Sequence, residues 1–407
     1  MKKISLLVLF ISLLGCENAY VPENKIKEDV TFLANDGLEG RQTGTEGEKR
    51  AAEYIAQRFT DIGLMAKGTN NYFQEFSFKP KTNPHQKVTY SAEGDSTITG
   101  TNVIGFIDNE AENTIIIGAH YDHLGYGAEG SLYRGSEKAI HNGADDNASG
   151  VAVMLNLAGK LKTSNPNNNY LFIAFSGEEM GLLGSNYFTK NASIDLTKAN
   201  YMLNMDMVGR LKQDSTLAVY GVGTSPILKQ IVTSNNKSFK IIENESGVGP
   251  SDHTSFYNSD IPVLHFFTGQ HEDYHKPSDD SNKLNYKGME TISNYIYNII
   301  TDLDDNGKLA FRKTKNESEE TPRFKVGLGV VPDYLFDGEG MRIDGISEDK
   351  PAQRAGLQKG DIVIKLGDST ITDLMSYMRS LSVFEKGDKT TVVVERNGKE
   401  VEAEIKF

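Results

Sequence analysis

The chain has 407 residues, 38% of them hydrophobic, and carries 56 Asp and Glu against 43 Lys and Arg for a formal net charge of -13. That length allows two or three domains, and that apolar content excludes a disordered chain. The acidic surplus and the lack of Lys/Arg clusters exclude nucleic acid as a main partner, and a single cysteine, Cys16, excludes an internal disulfide.

Lys2 and Lys3 precede "ISLLVLFISLL", an apolar run shorter than the roughly 20 residues of a membrane-spanning helix. "LLGC" follows and resembles a lipobox. It implies cleavage before Cys16, a lipid on that thiol, and a mature chain anchored to a bacterial membrane on the extracytoplasmic side, periplasmic or outer-membrane. Next, "GTEGEKRAAEYIAQRFTDIGL" sets Ala52, Ile55, Phe59 and Ile62 on one helical face. Thr45 and Glu48 form a capping-box start and Gly63 an exit. The runs "NVIGFI", "TIIIGAH", "YLFIAF", "YMLNMD" and "IPVLHFF" read as strands, interleaved with amphipathic helices such as "SGVAVMLNLAGKLK" and closed by "METISNYIYNIITDL". This alternation predicts a three-layer α/β/α sandwich on a mostly parallel sheet. Asp304 to Pro322 is polar and charged, with the composition of a linker, and a small β-rich module follows.

Reactive side chains recur just past the predicted strand ends: His120 and Asp122, Glu178 and Glu179, Asp206, then His275, with Asp145 and Asp146 ahead of a helix. Open α/β sheets bind ligands at that edge. Each residue alone has an ordinary explanation as a helix cap, turn or solvated loop. Five stations at one edge do not. Clustered carboxylates need cations, and a mixture of His nitrogens with carboxylate oxygens suits zinc, the surplus of acids suiting two metals that share a bridge.

In order along the chain, "LEGRQTGTEG", "GAHYDHLG", "HNGADDNASG", "FSGEEMGLLGS", "MLNMDMVGR", "SDHTSF" and "DYHKPSDD" resemble the di-zinc aminopeptidases of metallopeptidase clan MH, family 28. The resemblance implies the zinc-peptidase fold and two zinc ions per chain. It makes His120 the first zinc's ligand, Asp122 the acid that holds its ring, and Asp145 the bridging carboxylate with a cis bond to Asp146. It further assigns Glu179 to the first zinc, Asp206 and His275 to the second, and the general base to Glu178. Peptides trimmed from the N-terminus are the implied substrates. Some secreted relatives place a disulfide and a tyrosine before "SDH"; here "SGVGPSDH" has neither, leaving Tyr274 and His253 as candidates for the tyrosine's place.

The final segment, with "GLGVVPDY" and "PAQRAGLQKGDIVIKLGD", resembles a bacterial PDZ domain. Its loop Gly327, Leu328, Gly329 and Val330 is expected to take a peptide's C-terminal carboxylate. The expected organisation is a lipoprotein signal peptide over 1–16, a zinc peptidase domain over 17–303, a linker over 304–322 and a PDZ domain over 323–407. Competing functions are a carboxypeptidase or dipeptidase of the same clan, a glutaminyl cyclase, and a non-enzymatic PDZ-bearing binding protein.

Overall fold

Strands whose every residue is buried need cover on both faces, and Thr114–His120, Asn169–Phe175 and Ala199–Met205 are of that kind. They form the centre of a ten-stranded sheet in the computed structural model, which describes residues 22–80, 89–91, 97–127, 130–314, 324–333, 335–336, 338–347 and 349–407. Cys16 and the signal segment lie outside the described residues. In chain order the strands are β1 (Met65–Ala66), β2 (Phe73–Lys79), β3 (Thr89–Tyr90), β4 (Ile98–Ile107), β5 (Thr114–His120), β6 (Asn169–Phe175), β7 (Ala199–Met205), β8 (Thr216–Tyr220), β9 (Lys240–Asn244) and β10 (Val263–Phe267). Their spatial order is β3-β2-β4-β6-β5-β7-β10-β8-β9, with β1 beside β4. β6, β5, β7 and β10 run parallel, as do β8 and β9. Antiparallel pairing is confined to the flanks, where β4 joins β6 and β8 joins β10.

Alternation along β5 sends Ile115 and Ile117 to one face and Ile116 to the other. The first face packs on α1 (Pro22–Leu33), α2 (Glu46–Ile62), α3 (Gly150–Leu161), α5 (Leu228–Asn235) and α7 (Tyr286–Leu303). The second packs on α4 (Leu183–Lys190) and α6 (His253–Tyr257). The expected three-layer sandwich is present. α2 begins on Thr45, whose side chain accepts from the Glu48 N–H, and ends on left-handed Gly63. Glu48 itself does not close a capping box. Its carboxylate accepts from the Gly44 N–H at 2.5 Å and from the Ser176 hydroxyl, which fastens α2 to the end of β6.

Beyond α7 the polar stretch begins as a strap along the sheet domain. Leu309 N–H donates to Asn200 Oδ1 (2.8 Å), Arg312 N–H to the Thr224 carbonyl (2.8 Å) and Thr314 N–H to the Tyr257 hydroxyl (2.9 Å). The second domain is a six-stranded sheet of β11 (Val330–Pro332), β12 (Met341–Ile346), β13 (Ile362–Leu366), β14 (Ser369–Thr370), β15 (Lys389–Arg396) and β16 (Lys399–Lys406), with α8 (Pro351–Arg354) and α9 (Leu374–Leu381). It has its own core, which includes Leu328, Ile343, Val363 and Val392. Leu335 is buried outside that core, against the loop after β10: a methyl group on Gly269 would come within 2.6 Å of its side chain. Among the described residues no helix is long and apolar enough to cross a membrane.

Candidate metal centre

Parallel strands bring their C-terminal ends to one edge. β5 ends on His120, Asp206 follows β7, Glu178 and Glu179 lie in the turn after β6, and His275 stands in the loop after β10. The remaining acids sit in the turn before α3, where Gly143 is left-handed (φ 54°) and Asp279 Oδ2 accepts from the N–H groups of Asp145 (2.9 Å) and Asp146 (3.1 Å). Asn147 links this turn to β7, donating to the Met205 carbonyl and accepting from Met207 N–H. Beneath the turn the buried Arg41 guanidinium donates to the carbonyls of Leu33, Tyr121 (2.8 Å), Asn142 (2.7 Å) and Gly143 (3.1 Å). Burial pulls its pKa down to about 10, against the charges of Asp122 and Asp146, so it stays a cation at neutral pH.

Asp146 stands in the middle of the cluster. Its Oδ1 lies 3.3 Å from His120 Nε2 and its Oδ2 3.2 Å from His275 Nε2. His120 Nε2 is also 3.4 Å from Asp206 Oδ1, and His275 Nε2 is 3.3 Å from Glu179 Oε2. Two sets able to hold a metal ion share Asp146: His120 with Asp206, and His123 with Glu179, the second also approached by His275.

These positions correct three expectations. The shared carboxylate is Asp146, not Asp145, and the cis peptide joins Asp146 to Asn147. Asp145 is turned inward, where Oδ1 accepts from Gly209 N–H (2.6 Å) and the Ser149 hydroxyl (3.1 Å), and Oδ2 lies 3.2 Å from His271 Nε2. The partnership is also exchanged: Asp206 goes with His120 and Glu179 with His275. Asp122 holds His120 differently from the expectation, with its main-chain carbonyl 3.2 Å and its carboxylate 3.7 Å from Nδ1. That carboxylate instead accepts from Glu178 N–H (3.1 Å) and the Thr43 hydroxyl (3.0 Å).

The cluster demands positive charge. Burial opposes protonation of both histidines, yet the surrounding acids raise His120 well above its usual range and His275 to about 11. His120 Nε2 is buried without a hydrogen-bond acceptor. An orphaned imidazole nitrogen facing carboxylate oxygens is a donor set that fits zinc. The two adjacent glutamates diverge. Burial, with the charges of Glu179 and Asp206, pushes Glu178 well above the usual carboxylate range. Against burial and the Asp146 charge, His275 and His123 hold Glu179 down at about 2.

His123 and His271 went unassigned in the sequence. His123 Nδ1 lies 2.8 Å from Glu179 Oε1, and its signal was the second histidine of "HYDH". His271 had no local signal. Of the two candidates for the missing tyrosine, Tyr274 lines the cleft and stacks on His275 at 3.8 Å between ring centroids. His253 is wholly buried and stacks on His265 at 4.4 Å. The cleft over the cluster has a volume of about 1000 Å³. Glu178, Glu179, Asp206, Tyr274 and His275 form one wall, and Asp333, Phe336, Met341, Leu374, Met375 and Arg379 of the second domain form the other.

Residues 102–300 match Peptidase family M28 and residues 310–407 match the PDZ domain. The chain is 30% identical over 192 residues to the alkaline phosphatase isozyme conversion protein of Escherichia coli, covering 47% of this chain and 53% of that one. It is 32% identical over 172 residues to a probable leucine aminopeptidase of Trichophyton verrucosum, covering 40% and 44%. It thus spans about half the length of these curated relatives or less. A zinc aminopeptidase structure from Bacillus subtilis superimposes with a TM-score of 0.54 at 16% identity, over 72% of this chain and 96% of that one. A glutaminyl cyclase from Bacteroides thetaiotaomicron gives 0.55 at 17% identity, over 68% and 97%. At such identities these structures speak to the fold alone. With the matched segments falling on the sheet domain that carries the cluster and on the small β domain, the chain carries a Peptidase family M28 domain over residues 102–300 and a PDZ domain over residues 310–407.

Proposed function

We propose that the chain is a two-zinc aminopeptidase that removes N-terminal residues from peptides. The observation that carries it is Asp146, standing between two sets of histidine and carboxylate donors at the strand-end edge. His120 and Asp206 would hold one zinc and His275 and Glu179 the other, with Asp146 shared and His123 set against Glu179. Bound zinc supplies a Lewis acid that polarises a water and a peptide carbonyl and lowers the water's pKa toward about 7. Glu178 takes the proton from that water and returns it to the leaving amine, a role suited by a carboxylate whose proton affinity burial has raised. Asp122 fixes the Glu178 backbone through its N–H. Asp206 and Glu179 give a free α-amine negative partners in the cleft. Lipidation at Cys16 and an extracytoplasmic place in the cell envelope complete the proposal on the strength of the N-terminal sequence.

The test is zinc content together with turnover of leucine anilide, its N-acetylated twin and a peptide beginning with Gln. Two zinc ions and cleavage of the free-amine anilide alone are expected. Cleavage of the acetylated compound at an equal rate sinks the aminopeptidase assignment, and cyclisation of the Gln peptide without cleavage favours the cyclase. Glu178→Gln should keep both zinc ions and lose about 10²- to 10⁴-fold in kcat.

A further inference from the structure

We infer that a peptide substrate is held at both ends, its C-terminal carboxylate at Gly327–Val330 of the PDZ domain and its N-terminus at the metal centre, running along β11 into the cleft that Asp333 lines. This rests on the aminopeptidase reading above.

Three features prepare the PDZ end. β11 is the terminal strand of its sheet, paired on one side by β12 and open on the other among the described residues. Half-buried Val330 on β11 and Leu374 and Met378 on α9 give that open side an apolar floor. In the preceding loop the Leu328 and Gly329 carbonyls accept from Ala352 and Ser347 (2.8 Å each), whereas the N–H groups of Leu328 and Gly329 find no acceptor among the described residues. Gly329 is left-handed (φ 76°), and the stem of Lys350 lies against it. Free N–H groups with a nearby lysine suit a carboxylate.

Polarity follows from that placement. A carboxylate bound at the start of β11 forces the peptide to pair antiparallel to the strand and to leave its far end at Asp333, about 10 Å on at ~3.3 Å per residue. Asp333 already lines the same cleft as Glu178, Glu179 and His275. The emerging end is the N-terminus, the end an aminopeptidase takes; a carboxypeptidase would need the opposite direction. Phe336, Leu374 and Met375 line the cleft together with Asp333, and buried Leu335 against Gly269 fixes one domain on the other. The substrate class is therefore short peptides with both termini free.

The test uses the zinc-loaded full chain and leucine-headed peptides from about two to about twelve residues, each as free acid and as C-terminal amide, with leucine anilide as reference. For peptides long enough to span the cleft, KM should be about tenfold lower for the acid than for the amide, the scale of lost charged hydrogen bonds. kcat should be equal, and dipeptides should show no such difference. Equal KM for acid and amide at every length, with the anilide still cleaved, overturns the two-ended hold and leaves the aminopeptidase standing. Failure to cleave the anilide and all peptides overturns both. Binding of the same pairs to Glu178→Gln, read by fluorescence anisotropy, is a second measurement. Equal affinity overturns the hold there too, and tighter acid binding without a KM gain would mean the groove serves another protein's C-terminus, which also overturns it.

Discussion

At Asp145 and Asp146 one peptide unit separates a carboxylate turned into the protein from one turned into the cleft. The inner one is committed to Gly209 N–H and the Ser149 hydroxyl, and the outer one lies between His120 and His275. Asp146→Asn should therefore strip metal from both positions. Asp145→Asn, which only loosens the support, should lower zinc affinity about 10- to 100-fold. Metal content after dialysis against graded chelator distinguishes them, and the reverse ranking would restore Asp145 as the bridge. In the sequence the two acids are equivalent. Their separation depends on Asp279, far along the chain, which accepts from both N–H groups and fixes which way each residue faces. The acids and histidines were legible as a set because their strand-end positions were; who pairs with whom depends on how the turns beyond the strands fold over one another, which no local motif encodes.

At the scale of elements, α2 shows how a local signal can be right in place and incomplete in partners. Thr45 and Gly63 bound the helix as propensity predicts, but Glu48 is drawn away from its own helix end into a buried site with Ser176, Tyr121 and Gly44. Burial there, joined by the Asp122 charge, lifts Glu48 to about 7 against the hydrogen bonds from Ser176 and Gly44. The folded state then binds this proton more tightly than the unfolded chain does. Stability from the group is full below its usual 4.5 and is lost as pH rises toward about 7. Over that window the loss is about 3 kcal/mol. Glu48→Gln has no such proton. Urea unfolding of the metal-free protein should show the wild type losing about 3 kcal/mol relative to the variant between the two pH values. A constant difference would mean that Glu48 keeps its ordinary proton affinity in the folded state. The central strands were legible for a simpler reason: residues buried on both faces leave a continuous apolar run.

At the scale of the whole molecule, the "GEE" turn and the PDZ domain were each visible in sequence, but the cleft that Glu178 and Glu179 share with Asp333 and Leu374 was not. It depends on Leu335, which lies outside the apolar core of either domain and is buried where the loop after β11 meets Gly269. Burying a leucine contributes about 1.5–3 kcal/mol, enough to dock two domains already joined by the strap over residues 308–314. Leu335→Asp puts a charge into that contact and should free the PDZ domain without unfolding it, because its core is intact. A two-ended hold gains from fixed geometry, since a site tethered at the wrong distance contributes little effective concentration. The variant should then raise KM for long free-acid peptides about tenfold, to the level of their amides, while leucine anilide turnover stays as in the wild type. If anilide turnover falls as well, Leu335 supports the metal centre itself, and the PDZ wall acts on the peptidase rather than on the substrate's far end.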